Sequence, residues 1–500
     1  MGLDAHHPSY AEHSPDWQLM RDSIAGERRV KERAQVYLPA TQGMIHDGMA
    51  STEAAGYQAY QAYKTRAVYP DFVSEAVGHM LGIMHARPPK IELPSQLEFL
   101  RTAASSEGES LEDLLRRVNE EQLSTGRAGL MLDLPDRPAT GAPSLYISLY
   151  KTETILNWDV NLRAADRTVL NLVILDESRW ERLPSLEWEW EERYRILALG
   201  SPMGNEATGV YGQALSEEKA VPSSLTSPTV RGQTLTEVPF VFINTKDCLP
   251  EPDRPPLLGL ARLCMTIYRG EADYRQNLFM QGQDTFVTIG APDTGEDGER
   301  VGAGAMLNLP ANADAKYVGV NSNGLAEQRQ SLEADRAMAA QRAGQLATAK
   351  SRSVESGEAL QTRIASVTAT LNSIAICGAA GLERLLKIAA RWVGADPDQV
   401  SVEPNLQFGD LAFGPRDIVE LASARSMGAP LSRKSFHAVL KERGFTRMNY
   451  DDEIQEIEGE EPLLNLVSMG QLPEDGPPSG GDMSGGSAQA GAAPGASGAP

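Results

Sequence analysis

The segment 322–350 constrains this chain more than any other, because it is strongly helical yet almost without large apolar side chains. Between Leu325 and Lys350 it holds eight alanines, while only Leu325, Leu332, Met338 and Leu346 are large and apolar. Alanine has the best intrinsic helix propensity, and Ser322 or Asn323 can cap the start. At 1.5 Å per residue a helix of roughly 40 Å is expected. An amphipathic helix ordinarily buries a broad apolar stripe in its parent core, and this one has too little side chain for that. It either lies exposed on its own domain or packs closely against neighbours, the expected neighbours being sister copies of the chain.

Its surroundings are patterned. Pro255-Pro256 opens a helix carrying Leu257, Leu260, Ala261, Cys264, Ile267, Tyr268 and Leu278, which ends near Gly282. A small β insert follows, with strands at 285–289, 305–309 and 316–320 around an acidic, turn-rich loop at 292–299. After the Ala-rich helix a break at 351–357 leads into a helix bearing Ile364, Val367, Leu371, Ile374, Leu382, Leu385 and Trp392. Two short helices, 415–427 and 431–443, flank Gly428-Ala429-Pro430. The acidic run 451–461 reads as solvated charge, and the Gly, Ala, Ser and Pro of the last thirty or so residues cannot build a core.

The first half mixes helix and strand. Ser14-Pro15-Asp16 reads as a helix start, with Trp17, Met20 and Ile24 turned inward and the helix running towards Val36. Phe72, Val73, Ala76, Val77, Met80, Leu81 and Met84 recur at three and four before Pro88-Pro89. Ser110 with Asp113 resembles a capping box. From Gly129 to Asn244 the texture is β, with strands at 130–132, 146–150, 168–175, 188–199 and 238–243. Leu186, Trp188 and Trp190 alternate with Glu187, Glu189 and Glu191, which predicts one buried and one wet face. The class is α+β.

Composition excludes more than it assigns. Asp plus Glu is 68 against 46 for Lys plus Arg, a net charge of −22, so a general duplex-binding surface is not expected. Cys248, Cys264 and Cys377 are too far apart for a disulfide framework or a thiolate zinc site. No run of about 18 apolar residues occurs to span a membrane. No P-loop, GxSxG elbow or HExxH motif is present, and Gly302-Ala303-Gly304 precedes a strand rather than a helix. His79 and His85 are spaced wrongly for one helical face, and His6, His7 and His13 sit near the terminus. The expectation is no enzyme, no cofactor and no metal site.

Against this background one likeness emerges. His7-Pro8-Ser9-Tyr10, Trp17, Arg21-Asp22, Gly26, Val30-Lys31 and Tyr37-Leu38-Pro39 resemble the opening of a phage portal-like family long catalogued as a domain of unknown function. Ser124-Thr125-Gly126-Arg127 with Gly129 and Asp133, the stretch 150–158 (Glu153, Ile155, Asn157), Pro239-Phe240 to Asn244 and Pro255-Pro256-Leu257 continue it. Glu355-Ser356-Gly357, Leu406-Gln407-Phe408, Gly428 and Ser432 follow, so the likeness spans most of 7–465.

The resemblance implies a portal fold with wing, helical stem, small β clip and helical crown, assembled as a dodecameric ring. Residues 1–257 would form the wing, 258–282 a stem helix, 283–322 the clip, 323–350 the returning stem helix and 351–358 the tunnel-loop region. The long wing helix would be 359–394, the crown 395–468, and 469–500 a disordered tail. The implied role is a head-tail connector at one capsid vertex, through which double-stranded DNA is packaged and ejected. Its partners would be further copies of itself, the terminase large subunit, head-tail adaptor proteins, and major capsid and scaffolding proteins. It would reside in the virion after assembly in the host cytoplasm.

Within that scheme Lys350 and Arg352 flank the tunnel loop as DNA-proximal cations. Arg329, Arg336 and Arg342 lie along the return helix as candidate channel-lining residues, or else form ion pairs with neighbours such as Glu333 and Asp335. Two other readings compete: a non-channel head component such as a minor capsid or adaptor protein, and a hydrolase without recognisable motifs. The helix, β insert, helix, break and long-helix order separates the portal from the first; the missing motifs count against the second.

Overall fold

The chain enters its first helix earlier than Ser14-Pro15 predicts. Pro8 lies in the first turn of α1 (Pro8–Ala25), and His7 Nδ1 accepts the Ser9 amide at 3.2 Å. Pro15 sits inside the helix instead. The amide it lacks would cost a hydrogen bond, but His13 stacks on Trp17 and Tyr10 meets the same ring edge-on. Gly26, with φ +84°, ends α1 and reorients the chain into α2 (Glu27–Glu32), so no single helix runs on to Val36; glycine adopts that φ without a steric penalty.

The computed structural model describes residues 2–134, 145–162, 168–200, 209–222, 224–282, 285–289, 314–318, 324–345, 357–406, 415–427, 432–442, 445–446 and 448–459. Contacts divide the chain into two units, Met1–Gly409 and Asp410–Pro500.

In the first unit α3 (Gln42–His46) and α4 (Ala55–Arg66) precede α5 (Phe72–Met84), whose buried residues are those its apolar spacing marks out. Strand β1 (Lys90–Glu92) pairs antiparallel with residues 401–403. One half of the expected capping box forms at the start of α6 (Leu111–Thr125): Ser110 Oγ accepts the Asp113 amide at 3.1 Å, while the Asp113 carboxylate accepts the Ser110 hydroxyl at 2.6 Å.

Next come β2 (Arg127–Asp133), β3 (Tyr146–Lys151), β4 (Ile155–Leu162), β5 (Thr168–Asp176), β6 (Arg179–Arg182), β7 (Trp188–Glu191), β8 (Tyr194–Leu199) and β9 (Tyr211–Ser216). The expected strand 188–199 is thus two strands. A short ladder of β10 (Thr229–Val230) and β11 (Gln233–Thr234) leads to β12 (Phe240–Asn244). The sheets are antiparallel: β12-β2-β3, β4-β5-β8-β9, and β6-β7 alone.

Strands β2 and β12 are buried on both faces, and their alternation divides two cores. Met131, Phe240 and Phe242 point towards Trp158, Val173 and Leu197 of the four-stranded sheet. Leu130, Leu132, Val241 and Ile243 face α6 and a long helix, α9, described below. A third core gathers the helices, with Met20, Tyr60, Val73, Met80, Ile267 and Tyr268 among its buried members.

The tryptophan alternation does not behave as predicted. Trp180, Leu186, Trp188 and Trp190 are 60%, 70%, 62% and 49% exposed. The β6-β7 ribbon has two faces as the period of two requires, but its tryptophan face stays exposed among the described residues.

The remaining helices of this unit are α7 (Leu258–Gln281), α8 (Leu325–Gln345) and α9 (Gly357–Val393). Between α7 and α8 lie β13 (Thr285–Ile289) and β14 (Asp314–Val318), paired antiparallel. This places the last insert strand two residues before the 316–320 expectation, and 305–309 lies outside the described residues. Strand β15 (Ser401–Glu403) is the partner of β1.

In the second unit α10 (Pro415–Ser426), α11 (Arg433–Glu442) and α12 (Tyr450–Gly459) are helical. The acidic run beginning at 451 is thus solvated charge carried on a helix. Asp451, Asp452 and Glu453 sit in its first turn, where the helix dipole favours them. Lys434 lies over the Tyr450 ring, and Lys441 donates to Asn449 at 2.6 Å, tying α12 to α11. The tail 469–500 lies outside the described residues. Taken together the fold is α+β.

Candidate subunit interface and channel residues

Helix α8 touches its parent along a stripe about one residue wide. Leu332, Ala339 and Ala343 are buried, at 7%, 0% and 7% exposure, while Met338 is 43% exposed. Their spacing of seven and four, with Arg336 between, is the seam of a helix packed lengthwise on another. The partner is chiefly α7, which buries Leu260, Ala261, Cys264, Ile267 and Tyr268. Small residues let the axes approach: a Cβ on Gly270 would meet Leu332 Cδ2 at 2.9 Å. The rest of the α8 circumference, including Ala326, Gln330, Ala334, Ala337 and Gln341, faces outward.

One ion cluster fastens the pair. Glu271 on α7, its side chain only 4% exposed, receives Arg275 at 2.6 Å and Arg336 of α8 at 2.5 Å. Arg336 therefore crosses to the neighbouring helix and bonds neither Glu333 nor Asp335 in this arrangement. Arg329 pairs along its own helix with Glu333 at 3.5 Å, both about two-thirds exposed. Arg342 reaches the Gly259 carbonyl at 3.5 Å and is otherwise solvent-facing. Glu327, Glu333 and Asp335 balance the three arginines of α8, so the charge of −22 does not reside on this helix. Lys350, Arg352 and the expected break around them lie outside the described residues.

Helix α9 anchors the unit from the other side. Leu371, Ile374, Leu382, Leu385 and Leu386 are buried. A Cβ on Gly381 would fall 2.4 Å from Ile243 Cγ1, so the glycine is what lets α9 lie on β12. Gln122 Nε2 donates to the carbonyls of Asn244 and Ile374 at 2.6 and 3.2 Å, joining α6, β12 and α9 through one side chain.

The residues that carried the resemblance are joints of the fold rather than a reactive cluster. Buried Asp22 accepts Arg29, Arg33 and the Tyr37 hydroxyl at 3.1, 2.8 and 2.6 Å. Arg21 links Glu121 with Glu153. Arg127 is fully buried between the faces of Trp158 and Phe242, at 4.1 and 4.4 Å, and burial pulls its pKa down; such cation–π contacts offset part of the desolvation. Asn244 Nδ2 donates to Leu249, Glu251 and Asp247, holding the turn that leads to α7.

No group of His, Cys, Asp and Glu with metal-holding geometry occurs among the described residues, and none of their helices is long and apolar enough to cross a membrane. The role of Glu271 between helices was missed from sequence because Arg336, its partner on α8, lies 65 positions away.

Comparison with known proteins finds one family. A model described as a domain of unknown function, DUF4055, matches residues 256–393. That stretch runs from the start of α7 to the end of α9. No curated protein matches the chain. Among solved structures, a chain in the virion of a native gene transfer agent particle is similar at 14% identity and TM-score 0.38, covering 74% of this chain and 89% of that one. Chains in the neck of the native particle computed with C12 symmetry (13%, 0.36, 74% and 89%) and the neck of the empty particle computed with C6 symmetry (14%, 0.37, 80% and 92%) are similar to the same degree.

Proposed function

We propose that this chain is a structural protein of a phage-like particle and, within that class, the portal: a ring-forming subunit through which double-stranded DNA passes. The observation that carries the reading is the run α7, β13-β14, α8, α9, in which α8 holds to its parent by a single narrow stripe and leaves most of its surface free. A ring of identical chains, each offering one face to the next, would cover that surface by a heterologous contact that closes. The α7-α8 pair would be the stem, and β13-β14 the clip that meets the terminase large subunit and later the head-tail adaptors.

Charge supports the same reading. DNA must slide in both directions, and each phosphate neutralised by a fixed cation adds grip. A chain with net charge −22 repels the polyanion over a screening length of about 8 Å at physiological salt. Arg329 and Arg336 of α8 pair with carboxylates and Arg342 touches the Gly259 carbonyl while facing solvent, and the reading assigns DNA contact first to Lys350 and Arg352.

Negative-stain microscopy of the purified chain tests the ring. Closed rings with a central hole are expected, near twelve copies; monomers under all salt conditions refute it. Deletion of 286–318 should preserve rings but abolish packaging, and packaging by that variant would refute the clip. Lys350→Glu with Arg352→Glu should impair DNA passage or retention, with wild-type packaging the contrary result.

A further inference from the structure

The β6-β7 ribbon is costly as it stands. Trp180 lies opposite Trp190, their rings in edge contact at 5.5 Å, and Trp188 lies opposite Arg182, so one face is largely aromatic. The other face sets Glu181 opposite Glu189 and Arg179 opposite Glu191. Like charges directly across a ladder repel. Arg179 stands 4.0 Å from both Glu181 and Glu191, at the edge of ion-pair range, and Glu181 pushes the Glu191 carboxyl above the ordinary carboxylate range. At the tip, Leu186 holds φ +72° while 70% exposed. Glycine or asparagine would take that conformation more cheaply, so the turn keeps a large apolar side chain at the expense of its own geometry.

Both long edges of this ribbon lack a ladder partner among the described residues. An isolated two-stranded ribbon is at best marginally stable in water, and exposed apolar patches with polar rims mark interaction sites. A strand added to either edge would place alternate side chains on the two faces. Residues facing the tryptophans would find aromatic surface; those facing Glu181, Glu189 and Glu191 would find three carboxylates set against Arg179, which stands only at the edge of ion-pair range.

We propose that the β6-β7 ribbon is a docking site for an extended, basic protein segment that adds as a third strand. Its cationic side chains alternate towards the glutamate face, and apolar or arginine side chains lie on Trp180, Trp188 and Trp190. Charge complementarity selects this occupant over an acidic or neutral one. The inference does not depend on the ring, because the ribbon is complete within one chain.

The probe is a capped octapeptide alternating lysine and valine, titrated against the full-length protein and followed by tryptophan fluorescence. Trp17, Trp158 and Trp392 are buried, so the signal reports the ribbon. Saturable binding with one peptide per chain is expected. It should weaken on the order of tenfold in Trp180→Ser/Trp190→Ser and in Glu181→Gln/Glu189→Gln/Glu191→Gln, and in Leu186→Gly while that turn gains stability. Calorimetry reads the tryptophan variants, and far-UV circular dichroism checks that each variant is folded; Trp188→Ser alone serves if the double variant is not.

Equal binding of a glutamate–valine or lysine–glycine octapeptide overturns the proposal, as does undiminished binding by the tryptophan variants or no saturation at millimolar peptide. Sedimentation showing self-association that the tryptophan variants abolish would assign the ribbon to a second copy instead, and also overturns it.

Discussion

The Glu271 cluster yields the sharpest expectation about how α8 is held. Its carboxylate is 4% exposed, whereas Arg275 and Arg336 are 44% and 43% exposed. Removing either arginine alone leaves Glu271 one partner, and each pair is solvent-screened on the cationic side. Arg336→Met or Arg275→Met should therefore cost about 0.5–1 kcal/mol. Removing both strands a buried carboxylate, which costs about 3–5 kcal/mol, well beyond the sum of the singles. Glu271→Gln frees two arginines that can turn to water, so it should cost less than the double variant.

Hydrogen exchange of peptides covering 325–345 measures this locally, without requiring the whole chain to unfold as one. At about 1.4 kcal/mol per tenfold, each single variant should speed exchange by up to about fivefold. The double variant should speed it by two orders of magnitude or more, or abolish protection. A double variant no worse than the two singles combined, or Glu271→Gln more damaging than the double, would refute the reasoning. Either result would mean that α8 is held by something other than this cluster.

Three further outcomes follow from the packing and the titrating groups. Gly381→Ala puts a methyl 2.4 Å from Ile243 Cγ1 and should cost about 1–3 kcal/mol by overpacking, read as a lowered urea midpoint that Ile243→Ala partly restores. Burial raises the Cys248 thiol from 9.0 to about 11, so alkylation at pH 8 should run about a hundredfold slower than at an unperturbed thiol and rise with pH towards 11. Burial, aided by Arg116, lowers His85 below its ordinary 6.5. A base depressed in the folded state contributes stability above about 6.5 and loses it as pH falls, so the urea midpoint should drop more between pH 7.5 and 5.5 in wild type than in His85→Gln.

Where the signal is local, the sequence was enough. The apolar spacing of α5, the Ser110 cap of α6 and the Pro255-Pro256 entry to α7 each depend on neighbours within a turn, and each forms as the residues predict. Two local signals competed at the amino terminus, since Pro8 and Pro15 both suit a first helical turn. The earlier won because His7 caps it and the aromatic contacts of Trp17 support the later proline. The run after Asp451 was read as solvated charge, and most of it is exposed, but charge alone did not show that it is carried on a helix whose first turn is acidic. The Arg336–Glu271 bond was invisible because no periodicity links residues on separate helices.

The tryptophan ribbon marks a different limit. Alternation specifies that a strand has two unlike faces; it does not say whether the same chain supplies a cover for the apolar one. Helix α8 poses the same ambiguity in helical form, since its six alanines are compatible with an exposed face or with one closed by a neighbour. Local cost can discriminate where pattern cannot. A left-handed leucine, glutamates set opposite one another and tryptophans 49–62% exposed each lower the stability of the isolated ribbon. Conflicts of this kind tend to gather at functional sites, where binding offsets them. On α8 the arginines are matched by acids and the exposed residues are alanines interspersed with charged and polar side chains, Met338 excepted, so the free surface carries little such penalty. Among the described residues the ribbon therefore gathers local conflicts that a bound segment would offset, whereas α8 presents a surface that a copy could approach at its alanines.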